Sequence, residues 1–250
     1  MKKILYCLLL LAIGVVVYLF VRPSQPMQVV SVTTEAIPVD STADAIQDAD
    51  YIAYLAPTKA DLEREMGVKL GYAPEALWVG GNECPLVNWA SDALLDAARE
   101  VYPGKVDLAI VNVGGIRNVW PAGDITVGSV FEIMPFDNRL VVLTLTGEDI
   151  LTLCQSFAKY GGQGVAGMRV TIIDNRLANV TIGGKAVNPK ATYKVATSDY
   201  LSGGADHMEA LTNHTDKWDS GLKIRDLYIQ TVQKQGTVRA AVDGRMTIKP

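Results

Sequence analysis

The chain has 250 residues, of which 49% are hydrophobic and 20% are charged. This composition excludes a largely disordered protein and favours one globular domain with a hydrophobic core. The net charge is −4, and the absence of a basic run or of an RNA- or DNA-binding motif excludes a typical nucleic-acid-binding protein.

The N-terminal segment has the features of a membrane-targeting signal. Lys2 and Lys3 precede an uncharged, apolar run over residues 4–21, whose length is near the roughly 20 residues that a membrane helix needs. Cationic residues ahead of such a run favour a cytoplasmic N-terminus, with the rest of the chain membrane-anchored or secreted on the periplasmic, extracytoplasmic side. An uncleaved signal anchor is favoured over a cleaved signal peptide, because no A-x-A cleavage pattern follows the run.

The chain divides into three parts on this basis. We predict a signal anchor or signal peptide over 1–22, a linker rich in Pro, Ser, Thr and Val over 23–41, and a folded domain over 42–250. Hydrophobic periodicity in the first half of the domain predicts helices over 42–66, 86–102 and 129–133, and strands over 68–72, 106–113, 125–126 and 140–145. A break is expected at Pro57 in the first of these helices.

The second half of the domain continues the mixed pattern. Thr146 and Asp149 frame a capping box that opens a helix through Phe157. Strands are predicted over 168–173, 177–182, 193–198 and 246–248, with a helix over 224–234 that has Gly236 as its C-cap. The strands 168–173 and 177–182 form a hairpin around Asp174. Because hairpins are mixed with helices, we expect an α+β fold with mixed β-sheets flanked by helices.

The cysteines leave two alternatives for the domain. Cys7 lies in the N-terminal apolar run, whereas Cys84 and Cys154 are far apart in the sequence and lack metal-type spacing. Buried free thiols are favoured, since free cysteine is among the most buried residue types. A Cys84–Cys154 disulfide in an oxidising compartment is the alternative.

The sequence gives little basis for catalysis by this chain alone. His207 and His214 are its two histidines, too few for a His-rich dinuclear metal centre. A Walker-type loop, a G-x-G-x-x-G dinucleotide motif and a G-x-S-x-G elbow are all lacking. We therefore expect no catalytic residue, no metal site and no cofactor on this chain.

Three segments instead carry groups suited to binding a small ligand. Asn112–Arg117 combines two glycines, which allow close approach of a ligand, with a planar guanidinium suited to phosphate or carboxylate. Met134–Asn138 offers an aromatic ring for stacking and an amide for a base edge. Tyr200 precedes a glycine-rich loop with Asp206, whose carboxylate suits sugar hydroxyls. Each feature is common on its own, and their combination indicates a nucleotide or nucleoside ligand.

In order and spacing, these segments resemble the C-terminal domain of 5′-nucleotidases, over about 45–250. The motifs that carry the resemblance are Asn112–Arg117, Gly123–Thr126, Met134–Asn138, Leu145–Glu148, Tyr193–Tyr200 and Gly203–Asp206, with an entry segment over 83–92. The resemblance implies that Phe136 and Tyr200 are the two walls of a base sandwich. It implies that Asn138 contacts the base and that Asp206 binds the ribose hydroxyls. Arg117 and Asn112 would bind other polar groups of the substrate, with Arg117 favouring anionic oxygen.

The chain departs from the family pattern at three places. Tyr200 stands where the family commonly has Phe, which keeps the stacking face. The family often has an Arg just upstream of the Glu83 position, and 79–82 offers none. The aspartate loop reads Gly-Gly-Ala-Asp-His-Met rather than Gly-Gly-Asp-Gly-Phe. A surface position on this loop is favoured for His207, and contact with the substrate is the alternative.

In complete enzymes of the family, an N-terminal metallophosphatase domain holds two metals and cleaves the phosphate ester. With the N-terminal segment directly ahead of the resemblance, we expect that domain to be missing from this chain. The chain is then the nucleotide- or nucleoside-binding half of a split 5′-nucleotidase, with divalent metals only on a separate metallophosphatase subunit. The alternatives are a surface protein that binds nucleotides or nucleosides without hydrolysis, and a degenerate domain kept for protein contacts.

Overall fold

The computed structural model describes residues 2–21, 29–38 and 48–250. Parts of the predicted linker and the start of the helix predicted from residue 42 lie outside these ranges. The chain divides into two units, over 1–52 and 53–250. The first unit contains helix α1 (Lys2–Val21), a segment over 29–38 without regular secondary structure and the start of helix α2 (Ala49–Met66). A membrane helix is predicted at 4–21, yet no helix within the described ranges has the length and apolar character that crossing a membrane requires.

Helix α2 corrects another prediction. A break is expected at Pro57, but the helix continues through this residue. Proline inside a helix removes one hydrogen bond and crowds the preceding turn. No side chain of α2 is buried, so water can satisfy the carbonyl that Pro57 leaves without a donor.

The second unit is built on a five-stranded mixed sheet. Its strand order is β10 (Asp216–Lys223), β4 (Arg139–Thr146), β9 (Thr192–Ser198), β2 (Leu108–Val111) and β5 (Gly164–Ala166). Strand β9 pairs parallel with β2 and antiparallel with β4, where Leu140 lies opposite Ser198. The start of β4 and the ends of β2 and β9 therefore meet at the same end of the sheet.

Two smaller sheets complete the strand pattern. One has the order β11 (Met246–Lys249), β6 (Met168–Ile173), β7 (Arg176–Ile182) and β8 (Lys185–Ala186), with β11 parallel to β6. The other pairs β1 (Lys69–Ala73) antiparallel with β3 (Gly123–Thr126). The predicted β6–β7 hairpin turns at Asp174 and Asn175, whose φ angles of 51° and 58° match a hairpin turn of the primed type. The α+β architecture with mixed sheets is thus confirmed.

The helices of the second unit begin and end largely where their sequences indicate. They are α3 (Pro85–Val101), α4 (Val127–Ile133), α5 (Gly147–Tyr160), α6 (Asp199–Ser202) and α7 (Ile224–Gln235). The predicted capping box of Thr146 and Asp149 opens α5, and Thr126 with Ser129 forms a similar box at α4. Gly236, with a φ of 65°, ends α7 as predicted.

Two hydrophobic cores cover the two faces of the five-stranded sheet. Because side chains alternate along a strand, β4 sends Leu140 and Val142 into one core, together with α3 and α7. Val141 and Leu143 enter the other core, together with α5 and β6. Burial on both faces leaves the loops at the strand ends as the exposed, adaptable part of the sheet.

The two cysteines of the domain are free and buried. Cys84 lies in the core with α3, and Cys154 lies in the core with α5. The favoured prediction of buried thiols is therefore confirmed, and the disulfide alternative is not formed. Burial raises the pKa of the Cys154 thiol to about 12, which keeps it protonated and unreactive near neutral pH.

Candidate functional site

Three loops line one cavity at the end of the sheet where β4 begins and β2 and β9 end. Its volume is about 350 Å³, within the range of small-molecule sites, roughly 300–1,000 Å³. The structure brings together every residue that the sequence singles out for substrate binding. The lining consists of Asn112, Gly114, Gly115, Arg117, Phe136, Asn138, Tyr200 and Asp206.

The first loop turns sharply after β2. Asn112 precedes a 3-10 turn over Val113–Gly115, and the backbone N–H of Gly115 donates to the Asn112 carbonyl at 3.1 Å. A side chain at position 115 would place its Cβ only 2.5 Å from Asn112 Oδ1, so the observed position of the Asn112 amide needs glycine there. The backbone N–H of Val113 donates to Gln163 Oε1 at 2.8 Å, which ties the turn to the loop after α5.

The second loop is held by a buried arginine that sequence reasoning missed. Arg225 in α7 is 7% exposed. Its Nη1 donates to the carbonyls of Phe136 at 3.3 Å and Met134 at 3.5 Å, and its Nη2 donates to Asp137 Oδ1 at 2.5 Å. Hydrogen bonds from Lys223 and then Arg225 hold the pKa of the Asp137 carboxyl below its usual range. The loop is fixed through its backbone, while the Phe136 ring stays 40% exposed in the cavity.

Asp199 joins the second loop to the third. Its Oδ1 accepts hydrogen bonds from the backbone N–H groups of Arg139 at 3.0 Å and Tyr200 at 2.9 Å. Its Oδ2 accepts from Arg139 Nε at 3.2 Å. The start of β4 and the start of α6 are therefore fixed to one carboxylate. This role too was missed, since Asp199 lies inside a recognised motif but its partner is 60 residues away.

Among the residues that the structure describes, Asp206 is the one carboxylate in the cavity lining, and each of its oxygens has a partner. Oδ2 accepts from Asn112 Nδ2 at 2.5 Å, and Oδ1 accepts from the Tyr200 hydroxyl at 3.0 Å. The hydrogen bond to Asp206, and then its negative charge, raise the pKa of the Tyr200 hydroxyl above its ordinary value. Asp206 thereby connects the first and third loops across the cavity.

Two polar side chains of the lining are available to a ligand. The Asn138 side-chain amide makes no hydrogen bond to any residue that the structure describes. Arg117 Nη1 donates to the Gly114 carbonyl at 3.0 Å, and within the described ranges no carboxylate pairs with its guanidinium. An anionic oxygen entering the cavity could therefore pair with this guanidinium, while the Asp206 carboxylate is the negative group of the same lining. Over the same ranges, no group of three or more His, Cys, Asp or Glu side chains is arranged to hold a metal ion.

The turn that carries Asp206 has an uncommon backbone. Asp206 and His207 have φ angles of 55° and 61°, in the left-handed region that costs an ordinary L-residue roughly 1–2 kcal/mol, although Asp and His adopt it more readily than most. His207 is exposed, as predicted, and is not part of the cavity lining. Its ring stacks on Tyr160 with centroids 3.8 Å apart and planes at 11°.

Comparison with known proteins supports the family resemblance. Residues 73–213 match the model of the family described as 5′-nucleotidase, C-terminal domain. The chain is 33% identical over 210 residues to the trifunctional nucleotide phosphoesterase protein YfkN of Bacillus subtilis, a match that covers 75% of this chain and 14% of that protein. It is 26% identical over 197 residues to a 5′-nucleotidase of Vibrio cholerae, covering 77% of this chain and 35% of that one.

A solved structure gives the same result for the fold. The crystal structure of a 5′-nucleotidase precursor from Thermus thermophilus superposes with a TM-score of 0.70 at 26% identity, and covers 80% of this chain and 42% of that chain. This chain therefore spans less than half the length of these relatives. Because the family model matches more than half of the 250 residues, the chain belongs to the 5′-nucleotidase C-terminal domain family.

Proposed function

We propose that the cavity binds the nucleoside part of a nucleotide, and that this chain is the substrate-binding half of a split 5′-nucleotidase. One observation carries the proposal. Two exposed aromatic rings, Phe136 and Tyr200, line the same cavity as a carboxylate and two groups that lack an ion-pair or hydrogen-bond partner of their own kind among the described residues, the Arg117 guanidinium without a carboxylate and the Asn138 amide without a hydrogen bond. Aromatic faces suit a flat heterocycle, and the polar groups suit the sugar and phosphate that accompany it.

Each lining group has a role that fits this ligand. The rings of Phe136 and Tyr200 stack on the base, and the Asn138 amide offers a donor and an acceptor to its edge. Asp206 accepts hydrogen bonds from ribose hydroxyls, because each carboxylate oxygen can accept about two and has one partner in the cavity. Arg117 neutralises anionic oxygen. Asn112 holds Asp206 in place and offers its amide oxygen to the ligand.

The split enzyme adds a partner and a location to the proposal. The relatives compared above are a nucleotide phosphoesterase and 5′-nucleotidases, and this chain matches part of each. A separate metallophosphatase subunit would hold the divalent metals and cleave the ester of the nucleotide held here. Lys2 and Lys3 ahead of the apolar segment 4–21 support a location outside the cytoplasmic membrane, membrane-anchored or secreted.

Isothermal titration calorimetry of the full chain with adenosine tests the binding site. Phe136→Ala is expected to weaken adenosine binding about tenfold or more, since stacking contributes roughly 1–3 kcal/mol per base. Trp78→Ala is the matched control, because Trp78 is an aromatic residue of similar exposure, 47%, that lies outside the lining. It should leave the affinity unchanged. Equal affinities of the wild type and Phe136→Ala would remove the stacking platform from the proposal.

A reconstitution experiment tests the split enzyme. The full chain is used as bait in an extracytoplasmic extract, and a captured metallophosphatase is then purified separately. Metal-dependent hydrolysis of AMP is expected from the mixture at a rate well above that of either protein alone, and Phe136→Ala should lower it. Failure of the two proteins to associate, together with no gain in hydrolysis on mixing, would reject the split enzyme and leave the binding site to be judged by calorimetry.

A second candidate is a binding protein without a hydrolytic role. Within the described part of the chain, Arg117 is the one cationic side chain in the cavity lining, whereas phosphate sites commonly use several cationic or backbone donors. The relative affinities for adenosine and AMP separate the candidates. A preference for AMP of about tenfold or more, equivalent to about 1.4 kcal/mol, favours a nucleotide substrate, and equal affinities without a partner favour a nucleoside-binding protein.

A further inference from the structure

A stacked pair of side chains outside the cavity bears on the position of Asp206. Asp206 and His207 occupy consecutive left-handed positions in the turn between α6 and the 3-10 helix Glu209–Asn213. Glycine adopts this conformation without cost, but a residue with a Cβ does not. If the turn relaxed to an ordinary backbone conformation, the direction of the Asp206 side chain would change with it.

One backbone hydrogen bond spans the left-handed pair of this turn, and another lies just before it. The N–H of Gly204 donates to the Leu201 carbonyl at 2.9 Å, and the N–H of Met208 donates to the Ala205 carbonyl at 3.1 Å. Between them, the N–H groups of Asp206 and His207 have no hydrogen-bond partner in the described part of the chain. The bond from Met208 to Ala205 closes a β-turn with Asp206 and His207 at its centre, and the side-chain contacts of these two residues add to it.

The His207 side chain makes such a contact with a separate element. Its ring lies parallel to the Tyr160 ring at a centroid distance of 3.8 Å. Tyr160 is the last residue of α5, a helix anchored in the core by residues such as Phe157. Three residues further on, Gln163 accepts the hydrogen bond from Val113 in the Asn112 loop. The short segment 160–163 thus contacts both loops whose side chains meet at Asp206.

We propose that Tyr160 and His207 are a positioning pair: their stack holds His207 in the left-handed conformation and so keeps the Asp206 carboxylate in the cavity, between Asn112 and Tyr200. The ligand in this inference rests on the proposed function, whereas the conformational part does not. Without the stack, a large fraction of molecules has the turn relaxed. The apparent affinity then falls in proportion to the fraction that keeps the binding-competent turn.

Substitutions at position 207 separate the stack from the backbone conformation. His207→Ala removes the ring but keeps the Cβ, so adenosine binding by the full chain should weaken about tenfold in calorimetry. His207→Gly removes both the ring and the conformational cost, and should bind within about threefold of the wild type. Because His207 is exposed, neither variant is expected to lower the thermal midpoint much. If His207→Gly weakened adenosine binding as much as His207→Ala does, the proposal would be overturned.

A double-mutant cycle tests whether Tyr160 acts through His207. Tyr160→Leu should weaken adenosine binding about tenfold in the wild-type background but less than about twofold in the His207→Gly background, where position 207 no longer needs support. Tyr160→Phe keeps the stacking face and should bind like the wild type. An equal loss on Tyr160→Leu in both backgrounds would show that Tyr160 does not act through His207, and the proposal would fail.

The pKa of Tyr200 can be measured without a ligand, so it tests the positioning pair independently of the proposed function. The Tyr200 hydroxyl donates to Asp206 Oδ1 at 3.0 Å, which raises the pKa of Tyr200. Titration of ¹³Cζ-labelled tyrosine by NMR, with Tyr200→Phe for assignment, should show a lower Tyr200 pKa in His207→Ala than in the wild type. The same Tyr200 pKa in both proteins would overturn the positioning pair. Failure of the wild type to bind adenosine would reject the proposed ligand and leave this readout intact.

Discussion

Two neighbouring glycines show how closely the first loop is fitted to Asp206. A Cβ at Gly115 would lie 2.5 Å from Asn112 Oδ1, whereas the nearest atom to a Cβ at Gly114 is Asp206 Oδ2 at 3.9 Å. Neither glycine has a positive φ. The two positions therefore differ in the space around them and not in the backbone conformation that they require.

Gly115→Ala should displace the Asn112 amide and break its hydrogen bond to Asp206. A hydrogen bond to a charged group contributes about 1.5–3 kcal/mol, so the free energy of unfolding should fall by about 2 kcal/mol in urea titration. The Asn112 side-chain amide resonances should also shift in NMR spectra. Gly114→Ala, the adjacent control, should leave both measurements near the wild type. Similar effects of the two substitutions would contradict the steric explanation.

The residues proposed to bind the ligand and the residues that support them differ in how far the sequence predicts them. Phe136 and Tyr200 were identified because stacking groups stand in short, ordered motifs. Arg225 was missed because its partners lie 88 and more residues earlier in the chain, and no local pattern marks an arginine that will be buried. Its role arises only when α7 packs against the Phe136 loop.

Among the elements, helix α5 begins as its sequence predicts. Thr146 Oγ1 accepts from the Asp149 N–H at 3.1 Å, and Asp149 Oδ2 accepts from the Thr146 N–H at 3.1 Å. Asn213 also donates to Asp149 Oδ1 at 2.8 Å. Burial alone would raise the pKa of the Asp149 carboxyl, but the hydrogen bonds from Thr146 and Asn213 outweigh it and hold this pKa below its usual value. The cap therefore works in its ionised form.

Removing this cap should destabilise the fold in a pH-dependent way. Thr146→Ala is expected to lower the free energy of unfolding by about 1 kcal/mol near neutral pH, with Thr146→Ser close to the wild type.

The folded-state pKa of Asp149 is lowered, so the contribution of this carboxylate to stability is present above the ordinary value of about 3.9 and is lost as the pH falls below it. The stability difference between the wild type and Asp149→Asn should shrink in acid. A constant difference from neutral to acid pH in urea titrations would argue against an ionised cap.

Strand β10 shows where element prediction stops. Its sequence, DKWDSGLK, lacks hydrophobic alternation, and Gly221 within it has a φ of 70°. It lies at the edge of the five-stranded sheet, where charged residues and irregular pairing are common because they prevent association with other strands. Its strand conformation comes from pairing with β4, opposite Thr144 to Val141, and this information is absent from its own residues.

At the level of the whole molecule, the two cores keep the two thiols apart. Cys84 and Cys154 are 1% and 0% exposed and belong to different cores. In the native form of a Cys7→Ser variant, neither thiol should react with Ellman's reagent within minutes, because a buried, protonated thiol is a poor nucleophile. Both thiols should react after denaturation without reductant. Rapid native labelling would contradict the burial, and no labelling after denaturation would reveal a disulfide.

The order of strands in the sheet is the part of the fold that periodicity cannot supply. Strands β2, β9 and β4 are neighbours, yet they lie at 108–111, 192–198 and 139–146. Each was predicted as a strand from its own apolar residues. The strand ends meet, and so bring the three loops to one cavity, because the strands pair with partners that are distant in the sequence. Only the family resemblance indicated this arrangement from the sequence.

The cavity lining lies on loops at one end of a sheet whose two faces are both covered by hydrophobic cores. This arrangement affects how the protein can evolve. Under the proposed function, short surface segments would determine the ligand preference, while the strands that space them are shielded by both cores. Exchange of those segments with a relative's equivalents would graft a new specificity without repacking the interior. Selectivity and folding can therefore evolve as nearly independent properties, except at Gly115 and Arg225, where the scaffold itself shapes the loops.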